Sequence, residues 1–134
     1  MSLAVLSCYY NFNNNPWMEK NTRHCAKQWR QAGAHVVFVE LAMHGTAFVF
    51  HPTIDEGDDD TRNLFHKLIQ CHVQDVMWYT EMALNIALSH VPPSTNYVAW
   101  FDNDVYIVPP TDRETQPSWW VEAVDRAFQQ NQSV

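Results

Sequence analysis

Apolar and polar positions alternate along the chain in blocks that predict strands and helices in turn. "LAVLSCYY", Leu3 to Tyr10, is short, largely apolar and bounded by the turn cluster "NFNNNP". That pattern fits a strand buried on both faces of a parallel sheet. A helix should follow, capped by Asn14 or Asn15, with Pro16 in its first turn, Met18, Cys25 and Trp29 at helical spacing, and Gly33 as its stop. "HVVFVEL", His35 to Leu41, returns to a β-branched run. Strand, helix, strand implies a right-handed βαβ unit.

Residues 42–62 are less regular and carry the acidic run "DEGDDD". The run lacks the ligand spacing of a calcium loop, so a solvated loop is expected. "NLFHKLIQC" predicts a short strand. Asp75 then caps an expected helix with Val76, Met77, Thr80, Ala83 and Ala87 inward, joined by Leu84 and Leu88, and "HVPPS" ends it. "YVAWFDNDVYIV", Tyr97 to Val108, reads as a buried strand, its sheet portion Tyr97 to Phe101. "QPSWWVEAVDRAFQQN" supplies a last amphipathic helix with Trp120, Val124, Ala127 and Phe128 on one stripe. The whole, residues 1–134, is expected to form a single three-layer α/β domain around a mostly parallel sheet.

Composition narrows the function. With 134 residues, 46% of them apolar, the chain can build a core. A formal charge of −7 and only eight Lys and Arg argue against nucleic acid as a partner, because that affinity rests on neutralising phosphates. Cys8, Cys25 and Cys71 form no C-x-x-C pair, so buried thiols in a reducing, cytoplasmic setting are expected. No apolar run is long enough for a membrane span. The first loop lacks G-x-G-x-x-G, there is no P-loop, and the scattered His give no H-E-x-x-H helix. His66 and His72 lie nearest the acidic segments.

The chemistry concentrates at Asp102 and Asp104. On an extended strand, residues i and i+2 point to the same side, so the two carboxylates converge while Asn103 faces away. Two anions sharing a site need a cation, a shared proton or water. Oxygen ligands of this kind suit magnesium or manganese, with a substrate diphosphate completing the shell. A solvated turn is the alternative reading of the same residues.

The pairing of "VMWYTEMALNIALSHVP" with "NYVAWFDNDVYIV" resembles the nucleotide-diphospho-sugar glycosyltransferases of the GT-A fold. In these a W-x-K-E-x-x-x-N helix precedes a strand ending in D-x-D. "LSCYYNFNNN" looks like their first strand and the loop that meets the nucleotide, so the resemblance runs from Leu3 to Val108. It implies a nucleotide-sugar donor whose diphosphate is held by a divalent cation on Asp102 and Asp104. Tyr9, Tyr10 and Asn11 would then lie near the nucleotide, Trp78, Glu81 and Asn85 on the flanking helix, and Asn103 with the donor-binding residues. Catalytic residues are not assigned. Thr80 stands where the pattern has Lys, and 30 residues follow Asp104, so an abbreviated form with a short acceptor half is expected. The other readings are a non-catalytic nucleotide- or sugar-binding, oligomeric module and, ranked lower, an aspartyl phosphatase. The exposed edge or face of a shortened sheet would be covered by self-association, by the C-terminal helix, or by both, and a homodimer with Trp119 as a candidate contact is expected.

Overall fold

The computed structural model describes residues 2–51 and 64–131; the acidic run lies outside them. In chain order the elements are β1 (Leu3–Tyr9), α1 (Pro16–Gln31), β2 (His35–Met43), β3 (Lys67–Val73), α2 (Thr80–Leu88), β4 (Tyr97–Trp100) and α3 (Trp119–Asn131). Among the described residues the strands form one sheet in the order β3-β2-β1-β4, and every pairing is parallel. This is the expected α/β alternation around a parallel sheet.

The two central strands are buried almost throughout, which is why β1 and β2 read as continuous apolar runs rather than alternating ones. Their side chains nonetheless divide between faces. Leu3, Val5 and Val36 pack with Cys25, Ala26 and Trp29 of α1 and with Trp120 and Val121 of α3. On the other face Leu6, Val37, Val39 and Leu41 pack under Ala83, Leu84 and Ala87 of α2. Helices therefore cover both sides of the sheet. No helix among the described residues is long and apolar enough to cross a membrane.

The start of α1 is set by its asparagines. Asn15 caps the helix by accepting from the Trp17 amide at 3.0 Å, and Pro16 occupies the first turn. Asn11 accepts from Asn15 N and donates to Asn15 O, both at 2.8 Å, which closes the loop against the helix. At the far end Gly33 has φ +89°, a backbone state that side chains resist, and the chain turns there into β2.

Several boundaries differ from the sequence reading. Helix α2 begins at Thr80, with Tyr79 at its cap position, rather than at Asp75. The Tyr79 hydroxyl donates to the Asp75 carbonyl at 2.9 Å, closing a turn that precedes the helix. Val76 and Met77 are therefore exposed, at 69% and 58%, and Leu88 also lies outward. Strand β4 covers only Tyr97–Trp100 and is an edge strand with alternating burial. On α3 the buried pair is Trp120 and Val121; Ala127 is exposed, while half-exposed Phe128 stacks on Tyr97 with centroids 4.5 Å apart. Trp119 is partly buried and packs against the α1-side cluster.

Candidate functional site

The strand order places a crevice before any side chain is considered. From β1 the chain proceeds to β2 and β3 on one side, then returns to β4 on the other. Parallel sheets bind ligands beyond the carboxyl ends of the strands where the order reverses in this way. That point lies between the ends of β1 and β4.

The acidic residues arrive there on a turn rather than on a strand. Phe101 N still donates to Leu6 O at 3.0 Å, after which Val105 N donates to Asp102 O at 3.1 Å and the chain bends. The Asn103 side chain points inward and donates through Nδ2 to the Cys8 carbonyl oxygen at 3.0 Å. Asp102 and Asp104 are left exposed on either side of it. The expected strand is thus corrected to a pinned turn, yet both carboxylates still border one open cleft of about 280 Å³.

Cys8 and Tyr10 from the end of β1, Met18 from the first turn of α1, and Trp78 and Thr80 at the start of α2 complete that cleft. The Tyr10 hydroxyl and Thr80 Oγ1 are 2.8 Å apart, joining β1 to α2 across its floor. Tyr10 also contacts Trp78, Tyr79 and Phe12 in an aromatic group, with the Trp78 ring edge-on at 6.5 Å. Trp78 itself is 71% exposed and offers an open ring face at the rim. Burial, then the Asp102 charge, push the Cys8 thiol up to about 11; Glu81 adds to this and a hydrogen bond from Thr80 opposes it. Cys25 is raised by burial and by Asp104. Asp102 and Glu81 thus add negative potential at the Cys8 end of the cleft.

The sequence reading grouped residues that the fold separates. Tyr9 and Asn11 do not border this cleft. They line a neighbouring hollow of about 200 Å³ with Glu40, Met43 and Thr46, because successive residues leave β1 on opposite faces. Asn11 Nδ2 donates to the Tyr9 hydroxyl at 3.3 Å, and burial raises the Tyr9 pKa. Glu81 and Asn85 are exposed on α2 and line neither hollow.

Glu40 is the residue that sequence reasoning missed. It is 1% exposed in the middle of β2. Its carboxylate accepts from the Val49 amide, from Phe50 N at 3.2 Å and from Gln70 Nε2 at 2.8 Å. A lone carboxylate inside "HVVFVEL" was the available signal, since buried carboxylates require partners. Here it fixes Val49 in the wall of the second hollow and Phe50 behind it, against Tyr9.

The acidic turn offers a cation two carboxylates, and no group of three or more His, Cys, Asp or Glu suited to a metal occurs among the described residues. That donor set fits magnesium or manganese, which keep several waters and commonly take only one or two protein carboxylates. It does not fit zinc, which wants a fuller nitrogen and sulfur shell. No protein-family model, curated protein or solved structure matches the chain.

Proposed function

We propose that the chain binds a nucleotide-diphospho-sugar at the β1–β4 crevice through a manganese or magnesium ion held by Asp102 and Asp104, in the manner of a metal-dependent glycosyltransferase. The observation that carries this reading is the position of the acidic turn. It stands at the reversal of strand order in a parallel sheet, between the N-terminal turns of α1 and α2. Helix N-termini favour anions, and the carboxylates favour the cation that would bridge to them.

In this reading the ion supplies positive charge where a departing nucleotide diphosphate develops negative charge. Tyr10 and Thr80 present hydroxyls to the ligand, replacing with neutral donors the Lys of the resembling pattern. Trp78 provides an apolar ring face for a sugar or base. Asn103 holds the turn through Cys8 and lines the same cleft between the two carboxylates, beside the donor.

Calorimetric titration of nucleoside diphosphates with manganese and with chelator tests the proposal. Metal and diphosphate share one site, so each should raise the other's affinity by the same factor. Asp102→Ala and Asp104→Ala should each abolish that coupling. Equal binding, or none, in all metal conditions would overturn the reading. Metal-dependent hydrolysis of a sugar nucleotide would identify an enzyme; binding without turnover would identify the non-catalytic module.

A further inference from the structure

At the opposite end of the sheet, His66 pairs with β2 in an unusual way. Its amide donates to Val36 O at 2.9 Å, and its ring Nδ1 accepts from Val36 N at 3.0 Å. The imidazole thus takes the place of a backbone carbonyl and begins the β2–β3 ladder one residue before β3. An imidazole can accept at Nδ1 only while that nitrogen is unprotonated. Val36 is fully buried, so its N–H has no access to water as a substitute.

The surroundings of the ring oppose a positive charge. His35, at the start of β2, stacks on it with centroids 4.3 Å apart, and Arg30 faces it from the last turn of α1. The next residue back is Phe65, which stacks on Phe38 at 4.3 Å and meets Phe50 edge-on at 5.3 Å. Phe50 is the residue whose amide is held by Glu40. A continuous set of contacts therefore runs from the His66 ring to the hollow lined by Tyr9, Asn11 and Glu40.

We propose that His66 is an acid-released latch: protonation of its ring breaks the Val36 pairing, frees the Leu64–His66 segment from β2, and loosens the Phe65–Phe50 support of that hollow. The neutral ring is the closed form. Burial, then Arg30 and His35, lower the His66 pKa from 6.5 to about 4. The folded group is depressed, so closure is fully favoured above 6.5, weakens as the pH falls, and is lost through about 4. His66 is an exposed residue overall, so solvent screens part of this effect. Nothing in the latch depends on the metal reading of the other cleft.

Amide hydrogen exchange of the intact chain tests it, read as protection factors so that the intrinsic pH dependence of exchange cancels. Between about pH 6.5 and about pH 4.5, Val36 protection should fall by up to about tenfold per pH unit, the limit for release coupled to one proton. The amide of Val39, in the same strand, should change much less. His66→Asn keeps an acceptor oxygen near the Nδ1 position without a titrating ring, so its Val36 protection should not respond to acid. Parallel behaviour of Val36 and Val39 in the wild-type chain would overturn the latch, as would an undiminished acid response in His66→Asn. Direct titration of the wild-type His66 ring by NMR decides the matter independently of any variant: an apparent pKa well below the ordinary histidine value supports closure by the neutral ring, and one at or above that value refutes it.

Discussion

Asn103 Nδ2 and the carbonyl oxygen of Cys8 are hydrogen-bonded at 3.0 Å across 95 residues of sequence. This one bond sets the acidic turn on the end of β1. Asn103→Ala should lower stability by about 1 kcal/mol, the usual net value of such a bond. Urea denaturation measures that loss. If the turn holds the cation, the same variant should also weaken manganese-dependent nucleotide binding while both carboxylates remain.

Cys8 reports on the charge of the cleft. With its pKa raised from 9.0 to about 11, it should react with iodoacetamide about 100-fold more slowly than an unperturbed cysteine near neutrality, because only the thiolate attacks. Asp102→Asn removes one contributor and should accelerate the reaction. Manganese bound at the turn should act in the same direction. Peptide mapping by mass spectrometry separates Cys8 from Cys25 and Cys71; no acceleration in Asp102→Asn would mean that the carboxylate does not act on the thiol.

Removing the Glu40 carboxylate leaves the Val49 and Phe50 amides without their acceptor inside the fold. Glu40→Ala should therefore cost at least about 3 kcal/mol. Glu40→Gln keeps the shape and one acceptor oxygen, so its loss should be smaller. Chemical denaturation ranks the two, and limited proteolysis near Val49 should be faster in both than in the parent.

Trp29 is fully buried, and its Nε1 donates to Val105 O at 2.9 Å, just beyond the acidic turn. Truncation to Ala should cost about 3–5 kcal/mol. Trp29→Phe retains most of the apolar volume but loses the bond, so it should cost less and still loosen residues 105–107. Equal stabilities for the two variants would show that packing contributes nothing there.

The parts of the fold legible in the sequence are those whose signals are local. Asn15 followed by Pro16 marks one end of α1 and Gly33 the other, while β1 and β2 are too apolar to belong anywhere but the sheet centre. The errors came where tertiary contacts decide. Val76 and Met77 look like the inward turn of a helix, yet Tyr79 bonds back to Asp75 and leaves them outside. The run from Tyr97 to Val108 looks like one strand because the residues after the acidic turn are also apolar. Val105 and Ile107 instead pack against the α1-side cluster, with Gln28 bonded to both the amide and the carbonyl of Ile107. Asp102, Asp104, Tyr10 and Trp78 border one cleft. Tyr9 and Asn11 part from them because adjacent residues of a strand face opposite ways, a division that a list of neighbouring positions does not convey.

The order β3-β2-β1-β4 also has a history in time. As the chain is synthesised, β1 can pair with β2 early, but its other edge must wait for Tyr97–Trp100 to emerge. Contacts so distant in sequence close slowly, and an unpaired central strand is a template for wrong partners meanwhile. Ribosome stalling before Tyr97 should therefore yield nascent chains that need chaperone protection. The cleft has no early form either, since one wall is present from the first turn of synthesis and the acidic wall arrives only with the strand that completes the sheet.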